Sequence, residues 1–229
     1  MNPIRRNMTL AASAVALFAT LSSLPARADT AGDARALVEQ ATATVKSFTG
    51  NADYAALPGL LSKAKGVIVF PRIIEGGFIL GGAGGTGVLL VRDEKTGAFV
   101  GPAFSSIGGI SIGFLAGGQV AEVMMLVNSQ KALDSLLSTT VKLGAAASVA
   151  VGPRGSGEGA SVTADFVSFS RNRGAFASMS LNGQVIGVRE TFNVAFYSKA
   201  VSPVDILITR TVGNAEAEPL RAALKALAK

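Results

Sequence analysis

The sequence has neither cysteine nor histidine in its 229 residues, and these absences exclude much of protein chemistry. Without cysteine there is no disulfide and no thiol nucleophile, so packing alone must stabilise the fold. Without histidine, the chain lacks the usual base that activates a serine and the commonest ligand of metals. The 15 acidic residues are scattered without the spacing of a calcium loop, so we predict no metal and no cofactor.

Charged and aromatic residues are also scarce, at 16% and 6% of the chain. By contrast, 49% of the residues are hydrophobic and 27 are glycine. This balance supplies enough apolar surface for a core and argues against wholesale disorder. It predicts a protein rich in strands and turns.

The first 28 residues are typical of a signal peptide. A basic start precedes an apolar stretch from Leu10 to Leu21, and an Ala-Arg-Ala sequence ends at Ala28. The apolar stretch is shorter than the roughly 20 residues that a spanning helix needs, which argues against a retained membrane anchor. We therefore expect cleavage between Ala28 and Asp29, and a soluble periplasmic or secreted mature chain. Residues 29–229 are then predicted to form a single domain.

Removing this leader halves the net charge. The whole chain has 21 basic and 15 acidic side chains, or +6. The leader contains three of the basic residues and no acid, which leaves 18 against 15, or +3. A mild positive balance fits an anionic lipid surface as well as an ordinary soluble protein. Because no basic run is interleaved with aromatic residues, we predict no nucleic-acid partner.

Hydrophobic spacing predicts the fold class. Apolar residues recur at helical intervals between Asp29 and Phe48, and again from Leu220 to Leu227, with strand signals and one inserted helix capped by Asn128 or Ser129 between them. Strands and helices do not alternate regularly, which argues against a doubly wound parallel sheet. The sequence therefore predicts one α+β domain with a strongly curved, mostly antiparallel, glycine-rich, barrel-like sheet, covered by helices near the two termini. The first helix carries few basic residues, so we interpret it as a cover for the sheet and not as a membrane-surface helix.

Three local signals predict where strands end. Pro71 is expected to end the first strand, the sequence RNRG at 171–174 to form a turn, and Asn182-Gly183 to form a two-residue hairpin.

Two glycine motifs resemble functional sites without their required context. Gly82, Gly84 and Gly87 form a G-x-G-x-x-G, but a strand and a turn follow where a dinucleotide site needs a helix. Ser111 lies in a G-x-S-x-G, but the chain has no histidine and no S-x-x-K to supply a base. The glycines therefore predict either a tightly curled sheet or room for an apolar ligand.

Several blocks of sequence, taken in order, resemble those of the SYLF domain, which is also called the actin-binding domain of yeast actin-patch proteins. They include LSKAKGVIVFP, GGFILGGAGGTGVLLVR, GPAFSSIGGISIGFLAGGQ and VSFSRNRGAFASMSLNGQVIGVRETFNVAFY, and they cover Leu57 to Tyr197. The resemblance implies binding of phospholipids, especially phosphoinositides, and of actin in some eukaryotic members, without catalysis. The export signal argues against actin as the native partner.

We therefore predict a non-catalytic, exported protein that binds anionic phospholipid at a membrane surface or in a pocket. A structural or protein-interaction module without a lipid ligand is the alternative, and a hydrolase acting through Ser111 is a third hypothesis. The specific lipid and the oligomeric state stay open.

Six basic side chains are candidates for contacts with lipid head groups, provided that they share one face. Two flank the Ala64 element, one follows the first predicted strand, one lies in a G-P-x-G loop and two lie in the predicted RNRG turn. The alternative interpretation is that these side chains are ordinary exposed residues of the solvated surface. These candidates are Lys63, Lys65, Arg72, Arg154, Arg171 and Arg173.

Overall fold

The structure, a computed structural model, describes residues 30–77, 80–112, 117–138, 140–152, 163–174 and 181–229. The helices in these ranges are α1 (Thr30–Phe48), α2 (Leu57–Leu61), α3 (Gln130–Ser138), α4 (Glu190–Tyr197), α5 (Pro203–Leu207) and α6 (Glu218–Leu227). The strands are β1 (Gly66–Gly77), β2 (Leu80–Arg92), β3 (Phe99–Ile112), β4 (Gly117–Val127), β5 (Thr140–Lys142), β6 (Val149–Val151), β7 (Phe166–Gly174) and β8 (Val185–Val188).

All eight strands belong to one sheet, in the order β5-β8-β3-β2-β1-β4-β7-β6. Every neighbouring pair is antiparallel except β6 and β7, which are parallel. The predicted α+β class with a mostly antiparallel sheet is confirmed.

The sheet must be curled, because its two edge strands are joined by a link too short to span a flat sheet. β5 and β6 lie at opposite ends of the strand order, yet only residues 143–148 connect them. Seven strand spacings in a flat sheet would separate these edges by about 34 Å. A link of this length spans at most about 25 Å when fully extended. The Gly144 amide donates to the Ala147 carbonyl, so the link is folded back and the sheet is a half-barrel.

Alternation along the strands divides the core between the two faces of the half-barrel. The outer face packs against α1, α4 and α6. The inner face packs against α3 and α5 and contains residues from both edge strands. The helices near the two termini therefore cover the outside of the sheet, as the sequence predicted.

The prediction that Pro71 ends the first strand was wrong. β1 continues to Gly77, and its register against β2 shifts between Val69 and Arg72. Such a bulge leaves a residue out of the ladder, and therefore tolerates a proline that has no N–H to donate. As a result, Phe70 and Ile73 both face the inner core, whereas Arg72 between them is exposed on the outside.

The predicted turn at 171–174 was also wrong, because these residues form the end of β7. Asn182 and Gly183 do form a turn, with a Gly183 φ of +84°. The strand that follows, β8, pairs with β3 and β5, however, and not with β7. The sequence did not predict α4, whose two buried phenylalanines, Phe192 and Phe196, contact the ring of Phe104 edge-on.

Asp165 joins the start of α3 to the edge of the sheet. Ser129 caps α3, as predicted, because its Oγ accepts a hydrogen bond of 3.1 Å from the Ala132 amide. The same hydroxyl donates to Asp165, which also accepts from the amide and the hydroxyl of Ser148. The hydrogen bond from Ser129 is the largest cause that lowers the pKa of Asp165 below its ordinary value. The hydrogen bond from the Ser148 amide is the next largest.

We expect Asp165→Asn to lower the free energy of unfolding by about 1 kcal/mol at pH 7. A lowered pKa stabilises the fold above the unfolded value of about 3.9, and this contribution is lost as the pH falls through the folded value. The difference between the wild type and the variant should therefore shrink below about pH 4. Urea denaturation at pH 7 and pH 3 measures it, with Asp134→Asn on the exposed side of α3 as the control. An equal difference at both pH values would contradict this account.

Candidate functional site

A groove of about 630 Å³ lies on the outer face, between the polar side of α1 and the strands that α1 leaves uncovered. Helix residues form one wall, and residues of β1, β4 and β7 form the other. We call it the outer groove; its lining residues are Gln40, Ala43, Thr44, Ser47, Pro71, Arg72, Val120, Glu122 and Arg171.

Arg72 reaches the outer groove because of the bulge in β1. Without the extra residue at Pro71, the alternation of the strand would turn its side chain into the barrel. The side chain is exposed, and it forms no ion pair with any residue that the structure describes. Its guanidinium is therefore available to an anion from solution.

Arg171 lies opposite Glu122 in the register of β7 and β4. Its Nε is 3.4 Å from the Glu122 carboxylate, and its terminal nitrogen is 3.4 Å from the Ser47 carbonyl. The Ser47 hydroxyl donates to the same carboxylate at 3.1 Å. Glu122 therefore links the end of α1 to the sheet and positions Arg171, which keeps 32% of its side chain exposed.

A third arginine, which the sequence did not single out, lies on the other side of Arg72. A smaller hollow of about 270 Å³ continues from Arg72 past Thr86 to Phe192. Arg189 donates to the Thr86 hydroxyl at 3.2 Å, and its guanidinium carbon lies 4.0 Å from the centre of the Phe192 ring. This stacking holds the cation in place. No local sequence signal pointed to Arg189, because α4, which supplies Phe192, was not predicted.

Beyond the outer groove, the described part of the outer face includes a patch of glycine with two exposed isoleucines. We call this surface the glycine shelf; it comprises Ile74, Gly82, Gly84, Gly108 and Ile110. Ile74 is 49% exposed and Ile110 is 79% exposed. A Cβ added at any of the three glycines would approach only a backbone oxygen of the neighbouring strand, at 3.6–3.9 Å. Packing therefore does not require glycine at these positions.

The inner face uses glycine differently. A Cβ at Gly87 would collide with the Phe70 ring, and a Cβ at Gly109 would lie 2.6 Å from the Gln184 side-chain oxygen. These glycines make room for side chains inside the curled sheet. The curl that the sequence predicted therefore accounts for the inner glycines and leaves the shelf unexplained.

Of the four predicted lipid contacts whose side chains the structure describes, it brings together two, Arg72 and Arg171. Lys63 and Lys65 precede β1, about 20 Å of strand away from Arg72, and Lys65 pairs with Glu94 at 2.8 Å. Arg154 lies outside the described residues. Arg173 is in β7 and not in a turn, and its side chain is outside the part that the structure describes.

Both glycine motifs of the sequence lie in strands. Gly82, Gly84 and Gly87 belong to β2, which ends in a turn and not at a helix N-terminus. Ser111 belongs to β3 and pairs with Gly81, so it does not lie at a strand-to-helix elbow. No cluster of three acidic side chains that could hold a metal occurs in the described ranges.

The fold and the site together define a single-domain α+β half-barrel with a surface groove that presents arginine. The chain belongs to the Ysc84, or SYLF, family: residues 108–227 match the family described as "Las17-binding protein actin regulator". The predicted resemblance is confirmed.

The curated relatives carry the same family name. SH3 domain-containing YSC84-like protein 1 of Homo sapiens is 30% identical over 166 residues, which are 70% of this chain and 48% of that protein. Protein YSC84 of Saccharomyces cerevisiae is 29% identical over 176 residues, or 74% of this chain and 37% of that protein. The chain thus spans less than half the length of these relatives. No solved structure gives a significant match.

Within the described residues, every helix is too short or too polar to cross a bilayer.

Proposed function

We propose that this chain is a non-catalytic protein that binds anionic phospholipid at a membrane surface, through the outer groove and the glycine shelf. The observation that carries the proposal is that Arg72 and Arg171 line one groove beside an exposed, uncharged, apolar surface. The guanidinium groups would meet phosphate oxygens, and the shelf would meet the acyl region beneath them.

The chemistry of these groups suits a phosphate head group. A guanidinium donates two parallel hydrogen bonds to phosphate, and each basic residue near an anionic surface contributes about 1 kcal/mol. Arg72, Arg171 and Arg189 supply three positive charges, and two of them are offset by Glu122 and by Asp33, which lines the adjoining hollow. The net attraction of about 1 kcal/mol corresponds to roughly a fivefold preference for anionic over neutral membranes.

Co-sedimentation with vesicles tests the proposal. We expect about fivefold tighter binding to vesicles containing phosphatidylglycerol or a phosphoinositide than to pure phosphatidylcholine. Salt at about 1 M should abolish most of this preference, because it shortens the screening length to about 3 Å. Equal binding to neutral and anionic vesicles, or binding to neither, would contradict the proposal.

We further propose that the chain meets this membrane in the periplasm or outside the cell, after the leader is removed. The support is the basic, apolar and small-residue order of residues 1–28. Mass spectrometry of the exported chain should give a mature start at Asp29. A retained leader would contradict this part of the proposal.

A protein-binding role is the second candidate, because the family's description names Las17 binding and actin regulation. A separate groove of about 550 Å³ lies between the end of α3 and the start of α5, and includes the exposed Val194. Co-sedimentation with filamentous actin distinguishes the two roles. Actin binding that Val194→Asp abolishes, with no vesicle binding by the wild type, would favour this second role.

A further inference from the structure

The outer groove contains a carboxylate beside one of the arginines that would bind phosphate. Glu122 is the only acidic residue among the lining residues that the structure describes, and its carboxylate lies 3.4 Å from Arg171 Nε. Only 22% of the Glu122 side chain is exposed, against 32% of the Arg171 side chain. An anion that contacts Arg171 from the groove therefore also approaches a negative charge that is partly shielded from water.

The surrounding contacts fix this carboxylate in the groove wall. Glu122 of β4 and Arg171 of β7 are directly opposite each other in the strand register. The Glu122 oxygen that faces Arg171 also lies 3.1 Å from the Ser47 hydroxyl, at the end of α1. Because both sides of the groove hold this oxygen, we do not expect the carboxylate to swing away when an anion arrives.

An acidic residue also accompanies Arg72. Asp33 and Arg72 both line the smaller hollow next to the groove, and Arg189 contacts Thr86 and Phe192 of the same hollow. The described side chains of the two cavities thus include three arginines and two carboxylates, which leaves one net positive charge.

The two classes of phosphate differ in how well they match this charge. A phosphodiester carries one negative charge, whereas a phosphomonoester carries about −1.5 to −2 at pH 7, because its second pKa is about 6. The single net positive charge of the two cavities balances the diester. The further charge of a monoester would lie near the Glu122 carboxylate, and like charges in close proximity are a common source of discrimination between ligands.

We propose that the outer groove selects phosphodiester head groups over phosphomonoester head groups, and that Glu122 determines this preference. The inference rests on the proposed lipid binding and names the class of phosphate that the groove accepts. Arg171 attracts the phosphate, and Glu122 repels a second negative charge on it. A protein surface that responded to charge alone would have the opposite preference, because a monoester lipid carries more charge.

Vesicles whose anionic lipids differ by one methyl group test this preference. Phosphatidic acid is a monoester, and phosphatidylmethanol is the diester made from it by adding that methyl group. Each lipid is mixed at the same mole fraction into phosphatidylcholine, at about pH 8.5, which is well above the second pKa of a monoester. We expect the wild type to bind the phosphatidylmethanol vesicles about threefold more tightly than the phosphatidic acid vesicles.

Two matched variants assign the preference to Glu122. Glu122→Gln keeps the size of the side chain and removes its charge, so it should bind phosphatidic acid at least as tightly as phosphatidylmethanol. Glu39→Gln removes the same charge from an exposed position of α1 that does not line the groove, and it should keep the threefold preference. A melting curve of each variant shows whether it is folded.

The outcomes separate this inference from the proposed function. Tighter or equal binding of the wild type to phosphatidic acid, with both anionic lipids preferred over pure phosphatidylcholine, would overturn the inference and leave the proposed function intact. A threefold preference that Glu122→Gln retains would also overturn it. Equal binding to all three kinds of vesicle would refute the proposed function and this inference together. If Glu122→Gln does not fold, the wild-type comparison decides, because the two anionic lipids differ only in the methyl group and the charge it removes.

Discussion

Gly87→Ala is expected to lower the free energy of unfolding by about 2–3 kcal/mol, because it overpacks the interior of the half-barrel. A Cβ at position 87 would collide with the Phe70 ring and would lie 2.6 Å from the Val69 carbonyl oxygen. The ring is fully buried, and the oxygen belongs to the backbone of the bulged strand, so neither can move away cheaply. For a chain of this size the loss corresponds to a fall in Tm of about 5–10 °C.

Gly84→Ala is the matched control in the same strand. A Cβ at position 84 faces outward and meets only the Ile107 carbonyl oxygen, at 3.9 Å. Replacing this glycine should leave the stability within about 0.5 kcal/mol, or raise it by reducing the freedom of the unfolded chain. Thermal and urea denaturation of the two variants measures the contrast. Equal effects at 84 and 87 would refute the division between inner glycines and shelf glycines.

The double substitution Arg72→Gln/Arg171→Gln is expected to weaken binding to anionic vesicles by about 30-fold. Each basic side chain near the surface contributes about 1 kcal/mol, and 1.4 kcal/mol is a factor of ten. Binding to neutral vesicles should change little, because the shelf stays intact. A vesicle titration followed by co-sedimentation gives both affinities, and a melting curve confirms that the variant is folded.

Lys63→Gln/Lys65→Gln removes the same amount of charge at the other end of β1 and serves as the matched control. Because these lysines lie away from the outer groove, we expect less than about a threefold change in affinity. If the two double variants weaken binding equally, the affinity for anionic vesicles depends on the net charge of the protein and not on the outer groove.

The fold class could be predicted because the helical periodicity and the glycine-rich strand signals are local. The strand boundaries could not. Proline ends a strand in most contexts. β1 continues past Pro71 because it pairs with β2 on one side and with β4 on the other, beyond the bulge. Similarly, RNRG has the composition of a turn, but pairing with β4 extends β7 through it. The residues of α4 include valine and aromatics that also suit a strand, and burial against Phe104 makes them helical.

The candidate site was only partly predictable for a related reason. The composition and the family resemblance predicted that exposed basic residues contact lipid, and two of the six candidates do share a groove. Which two share it depends on the register that joins β1, β4 and β7, and residues 72 and 171 are far apart in the chain. The position of Arg189 depends on its contact with Thr86 across the sheet, which no local pattern encodes.

The orientation of the bound protein tests the central claim most directly. The native chain has no cysteine, so Ile110→Cys provides a single site for a fluorophore on the glycine shelf. Lys95→Cys provides the control site. Lys95 lies in the turn between β2 and β3, at the opposite end of these strands from the glycine shelf. On anionic vesicles that contain nitroxide-labelled lipid, we expect strong quenching at position 110 and little at position 95. Equal quenching at both positions, or stronger quenching at position 95, would contradict membrane binding through the outer face.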